Sequence, residues 1–332
     1  MTMTVLLIDR EIYEAYSDEI ARIETVTGSS IEPVFIPPPG ARLAPEELER
    51  IEIGTPPNGD YDPEGARRFY GCAMRAPHLR WVHLPHAGVD DPVFGKLIDA
   101  GVRLTNASGA MAEPIAWSAI AGLLQLARGF PRWAAAQQRH EWDPHSQSEF
   151  PKDLRQQTIV VFGLGAIGME IARLAQALHL HVIGVRRSPA RDGDPVDELV
   201  TPDQLAEVLP RADWLAIASP LTDATNGLFD ERLLGLLPGG AGIVNIARGA
   251  IIDEAAMANR LGDGRLGGAY LDVFEEEPLS ADSPLWDLPR VILSPHDSSS
   301  TNTVDARLSG YFLRNLEHWL QGRSLENEVL ER

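Results

Sequence analysis

Arg248, Glu277 and His296 are the residues of this sequence whose types suit proton and anion chemistry together, and each lies at or just beyond the end of an apolar run. Arg248 stands in Asn245-Ile246-Ala247-Arg248-Gly249. Glu277 is the last acid of Glu275-Glu276-Glu277 and directly precedes Pro278, and His296 ends Ser294-Pro295-His296. An imidazole exchanges a proton near neutral pH, and a carboxylate behind it fixes the ring's tautomer. A guanidinium grips a carboxylate and polarises a carbonyl beside it. Singly, each has a plain structural explanation: a surface ion pair, a solvated acid, a histidine held in a turn. Together, behind a dinucleotide motif, they meet the needs of hydride transfer to a keto acid.

That motif is Gly163-Leu164-Gly165-Ala166-Ile167-Gly168, a G-x-G-x-x-G pattern. The apolar run 158–162 leads into it. Ile167, Ile171, Leu174, Ala175 and Leu178 then share a helical face, and the run 181–185 completes a βαβ unit. The glycines permit a tight turn and close approach of the backbone to a pyrophosphate, while the helix start supplies amide donors and a positive dipole end. About twenty residues past the first glycine, an NAD-preferring chain carries an acid for the ribose hydroxyls. Here Val185-Arg186-Arg187-Ser188 occupies that place, with no acid until Asp192. Two guanidinium groups and a hydroxyl suit a 2′-phosphate. The expected cofactor is therefore NADP(H), with NAD(H) as the second choice.

Groups spread this widely need a sheet to gather them. In the first hundred residues the short apolar runs 5–8, 33–36, 51–53 and 81–84 alternate with helix-like stretches at 11–24 and 45–50. Such alternation predicts a parallel sheet with helices on both faces. A second series begins near Leu104, with a long apolar helix over 115–127 and further apolar runs at 214–218, 242–246, 268–271 and 291–293. Near-continuous apolar strands are buried on both faces, as in a doubly wound sheet. The segment 302–321 is an amphipathic helix that Ser300 or Thr301 could cap. Its periodicity does not say which sheet it covers. At 332 residues the chain is long enough for two domains.

The composition excludes several functions. With 48 acids against 29 Lys and Arg, the net charge is -19, which disfavours nucleic acid and anionic membranes. It also repels anionic small molecules, so an anionic substrate needs pre-placed positive charge. A single cysteine, Cys72, allows neither an intramolecular disulfide nor a multi-cysteine zinc site, and no metal is expected; this fits the reducing cytoplasm. Asp9, Arg10 and Glu11 cut short the apolar run 5–8, which reads as a strand and not as a secretory signal.

The sequence resembles the D-isomer-specific 2-hydroxyacid dehydrogenases. The likeness runs from Trp81 to His296 and is carried by His86-Ala87-Gly88-Val89-Asp90, Thr105-Asn106-Ala107-Ser108-Gly109, the glycine motif, Ser219-Pro220-Leu221-Thr222, Asn245 to Gly249, Leu271-Asp272-Val273-Phe274 on to Glu277-Pro278-Leu279, and Ser294-Pro295-His296. The resemblance implies an α/β fold with two doubly wound parallel-sheet domains: a Rossmann dinucleotide-binding domain over 103–296, and a flavodoxin-like substrate domain over 1–102 plus 297–332, to which the last helix returns. It implies a homodimer and a small 2-keto or 2-hydroxy acid substrate of the glyoxylate or hydroxypyruvate kind. Arg248 would bind the substrate, His296 would act as acid and base, and Glu277 would pair with His296. Asp272 would hold the nicotinamide carboxamide, and Ser219, Pro220, Ile246 and Ala247 would line the cofactor. Backbone amides at Ala87, Gly88 and Val89 would take the substrate carboxylate. The chain departs from the family pattern in three places. Asp297-Ser298-Ser299-Ser300 replaces a small, glycine-rich stretch, Trp117 stands where a glutamate is common, and Gln156-Gln157 replaces a glycine. Two other readings share the fold: a non-catalytic, corepressor-like sensor of NAD(P)H, and a formate- or phosphite-type dehydrogenase.

Overall fold

A computed structural model describes residues 3–57, 62–86 and 91–329. The chain divides into two compact units, Met1–Ala110 with Asn302–Arg332, and Met111–Thr301. The unit boundary falls later than the 102/103 and 296/297 expected from sequence, for local reasons. Residues 103–106 form a strand of the first sheet, and residues 297 and 298 are hydrogen-bonded to Asp272 in the second unit.

The first unit holds β1 (Met3–Ile8), β2 (Ser30–Phe35), β3 (Ile53–Gly54), β4 (Trp81–Leu84) and β5 (Arg103–Asn106), all parallel, in the order β2-β1-β3-β4-β5. That is the flavodoxin-like order. Successive side chains of a strand point to opposite faces, so Val5 and Leu7 enter one core while Leu6 and Ile8 enter the other. The helix Val304–Leu320 closes the second of these cores. Phe312 and Trp319 stack on buried Trp81, with ring centroids 6.0 and 5.6 Å away. The periodicity left this helix's sheet open, and the apolar stripe of Leu308, Phe312, Leu313 and Leu316 settles it in favour of the first unit.

The second unit holds β6 (Thr158–Phe162), β7 (His181–Val185), β8 (Glu198–Val200), β9 (Trp214–Ile217), β10 (Ala241–Asn245), β11 (Leu266–Leu271) and β12 (Val291–Leu293). All pairings are parallel, in the order β12-β11-β10-β9-β6-β7-β8. Six of these strands follow the Rossmann order and β12 extends it. The direction of winding reverses between β6 and β9, so the loops after these two strands flank the crevice where such sheets bind ligands. Val160 and Phe162 pack on one face, Ile159 and Val161 on the other.

Some elements differ from the sequence reading. The stretch expected as one helix is two, Arg10–Ala15 and Ser17–Thr27, broken at Tyr16. The last helix is capped at Thr303, with no side-chain cap bond, and Ser300 instead donates to Asp297. Strand β8 has no apolar run to announce it. Gln157, the departure from glycine, is buried and joins the Trp214 indole to the Lys152 carbonyl.

Candidate active site

The glycine loop after β6 divides its tasks as the motif requires. Gly163 has φ +96, and a Cβ there would lie 2.7 Å from the Ser219 backbone after β9. A Cβ on Gly168 would lie 1.8 Å from the Gly163 carbonyl oxygen, so helix Ala166–Ala177 packs against the turn only with glycine. A Cβ on Gly165 would meet nothing within 4 Å, which leaves space beside the helix start. Leu164 is buried beneath the loop, while Ala166 is exposed and Ile167 half-buried at the opening turn. No acid lies in the helix's first turn, so its amides and dipole keep their positive potential. The loop fits a pyrophosphate. In the loop after β9, the Thr225 hydroxyl donates to the Pro220 carbonyl at 2.8 Å and fixes the turn that carries exposed Pro220.

The arginines after β7 separate. Arg186 donates to the carbonyls of Ser188 (3.1 Å) and Pro189 (2.6 Å) and pairs with Asp194, whose carboxyl it holds below the usual range. Both side chains are nearly covered, 9% and 7% exposed. Arg186 therefore closes its own loop and is not directed outward, contrary to the sequence expectation for it. Asp194, eight residues on, gave no local signal of this. Arg187 is exposed, with no hydrogen-bond or ion-pair partner among the described residues, and Ser188 is half-buried beside it.

Beyond β10, buried Asn245 accepts from the Ala247 amide at 3.1 Å and donates to the Arg248 carbonyl at 3.0 Å, bending the chain so that Arg248 is exposed. Ile246 and Ala247 stay buried, and the Arg248 guanidinium donates to the Ala247 carbonyl at 2.6 Å. A Cβ on Gly249 would lie 1.8 Å from the Phe274 carbonyl carbon, so the loop of Arg248 packs directly on the loop of Glu277. Glu277 accepts from the Phe274 amide at 3.0 Å and from His296 Nδ1 at 2.8 Å. Burial pushes its carboxyl up, but these bonds and the charges of His296 and Arg248 outweigh burial and hold it below the ordinary value. An ionised carboxylate only accepts, so Nδ1 carries the proton and Nε2 is left for a reacting group.

His296 has φ +53, a left-handed conformation uncommon outside glycine. Its amide donates to the Asp272 and Ser294 carbonyls at 2.9 and 3.0 Å. Asp272, expected at the carboxamide, has other partners. Only 1% exposed, it accepts from Ser294 Oγ (2.6 Å), the Asp297 amide (2.9 Å), the Ser298 amide (3.1 Å) and Ser298 Oγ. The structure thus brings Arg248, Glu277 and His296 together. It adds Asn245, which acts through local contacts, and Gly249 and Ser298, whose contacts are remote in sequence. Ala87, Gly88 and Val89 lie outside the described residues. No group of three or more His, Cys, Asp or Glu among the described residues is placed to hold a metal ion, and no helix among them is long and apolar enough to cross a membrane.

Residues 120–298 match the family model described as D-isomer specific 2-hydroxyacid dehydrogenase, NAD binding domain. The glyoxylate reductase of Aeropyrum pernix is 33% identical over 264 residues, 77% of either chain. A D-isomer specific 2-hydroxyacid dehydrogenase of Xanthobacter autotrophicus Py2, solved with NADPH and MES, superposes with a TM-score of 0.75 at 25% identity, covering 99% of this chain and 98% of that one. An NADPH-dependent glyoxylate/hydroxypyruvate reductase of Sinorhizobium meliloti, solved with NADP and sulfate, gives 0.74 at 27% identity, covering 98% of both.

Proposed function

The chain belongs to the D-isomer specific 2-hydroxyacid dehydrogenase family of NAD(P)-dependent oxidoreductases, and from that membership we propose that it interconverts a small 2-keto acid and its D-2-hydroxy acid with NADP(H). The observation that carries this reading is the 2.8 Å bond from His296 Nδ1 to Glu277, with Arg248 near enough for its charge to lower that carboxyl.

The nicotinamide cofactor, when bound, supplies or receives the hydride. The loop from Gly163 to Gly168 holds its pyrophosphate, and Ser219, Pro220, Ile246 and Ala247 line its path. Arg248 binds the substrate carboxylate and draws electron density from the carbonyl oxygen. His296 delivers a proton from Nε2 to that oxygen in reduction and takes it back in oxidation. Glu277 keeps the ring in the tautomer and orientation that make both directions possible.

Preference for NADP(H) is supported by exposed Arg187 with half-buried Ser188 beside it, by the absence of an acid between them and Asp192, and by the NADPH and NADP in the two solved relatives. A glyoxylate- or hydroxypyruvate-like substrate is supported by the glyoxylate reductase and the glyoxylate/hydroxypyruvate reductase among the relatives. A homodimer is part of the same reading. Exposed Phe130, Phe150 and Trp142, the last 96% exposed, offer apolar area for a second copy.

The test is His296→Ala. Turnover of NADPH with glyoxylate or hydroxypyruvate falls by roughly a hundred-fold or more, while NADPH still binds with its wild-type Kd. Undiminished turnover refutes the role of His296.

A further inference from the structure

We propose that Ser298, acting through the buried carboxylate of Asp272, is a positioning residue for His296; the inference rests on the acid–base reading given above. Four donors of the 294–298 segment converge on one side chain. Asp272 accepts the Ser294 hydroxyl, the Asp297 and Ser298 amides and the Ser298 hydroxyl. No cation is among these donors, and a carboxylate only 1% exposed has to be satisfied by hydrogen bonds or protonate. Two carboxylate oxygens accept about four hydrogen bonds, and these four donors satisfy the buried charge.

The segment so held contains His296 in its left-handed conformation. A residue with a Cβ stays there only when its surroundings over-determine it. Here they do so from two sides. Glu277 fixes the ring, and Asp272 fixes the main chain before and after it, through its carbonyl at 2.9 Å from the His296 amide and through its carboxylate. Both anchors sit on the loop that follows β11, so ring and backbone are referred to one body. The hold extends outward: Tyr270 Oη meets Ser294 Oγ at 2.9 Å, and Ser118 Oγ in helix Ala112–Arg128 donates to the Ser298 carbonyl at 3.1 Å. A glycine-rich stretch after the histidine would offer Asp272 the amides alone. Ser298 adds a side-chain donor, itself buried. That is the physical content of the departure from a glycine-rich sequence.

The experiment uses the full chain with Ser298→Ala and, more severely, Asp272→Asn, each checked for the native fold by circular dichroism. Ser298→Ala lowers kcat roughly ten-fold through misplacement of the ring. KM for the keto acid and Kd for NADPH, read by fluorescence, stay at wild-type values. Amide exchange at Asp297 and Ser298 accelerates. Two results overturn the proposal for Ser298→Ala: an unchanged kcat, or unchanged exchange at those amides. If Kd for NADPH weakens in step with kcat in Ser298→Ala, the hydroxyl acts through the cofactor and the proposal also falls. Ser298→Ala decides the matter if Asp272→Asn does not fold. His296→Ala is assayed in parallel. Wild-type turnover there removes the acid–base reading and the positioning claim with it. Loss there beside an unimpaired Ser298→Ala removes the positioning claim alone.

Discussion

Two adjacent arginines with the same chemistry do different work because only one meets an acid within its own loop. Arg186→Ala leaves Asp194 with the Arg191 amide as its remaining donor, and the urea midpoint of unfolding should fall. Arg187→Ala leaves stability alone and raises KM for NADPH roughly ten-fold, with KM for NADH unchanged. Equal effects on the two cofactors would remove Arg187 from the 2′-phosphate. This is where reading from sequence reached its limit. Arg248, Glu277 and His296 were legible because each polar group follows an apolar strand. Asp194 and Ser298 were not, because a loop closing on itself, or a carboxylate gathering donors more than twenty residues away, leaves no periodic trace. Asp272 was legible as a carboxylate at a strand end, but the donors that gather on it from Ser294, Asp297 and Ser298 were not.

Elements carried their own signal in proportion to burial. Strands wrapped on both faces, such as β6 and β9, announced themselves as apolar runs, whereas β8, with Glu198 in a three-residue edge strand, did not. Strand β4 makes a separate statement through His83, 1% exposed, whose Nδ1 lies 2.9 Å from Thr105 Oγ1. Burial, then the charges of His86 and Arg314, lower its pKa from 6.5 to about 3. Between those values the unfolded chain binds a proton that the folded chain refuses. Stability from this group is complete above pH 6.5 and declines as pH falls, by up to about 1.4 kcal/mol per pH unit. Urea midpoints through that window should fall less steeply for His83→Gln than for the unaltered chain; parallel slopes would show that His83 is protonated at no cost.

At the scale of the molecule, a net charge of -19 opposes every anionic substrate that Arg248 is asked to hold. Raising ionic strength to about 0.15 M shortens the screening length to about 8 Å, and kcat/KM for a keto acid should rise by roughly two- to ten-fold. A fall instead would mean that local positive potential governs capture. The two-unit division was legible from the two alternating series, and its edges were not, since β5 belongs to the first sheet by pairing alone. That division has a consequence for vectorial synthesis. The second unit is contiguous and can close as soon as residue 301 has emerged. The first unit, begun earlier, cannot: the sheet face bearing Leu6, Ile8 and Trp81 stays uncovered until Phe312 and Trp319 leave the ribosome. The segment made first is thus among the last to mature, and through most of translation it is the part of the nascent chain most in need of a chaperone's shelter.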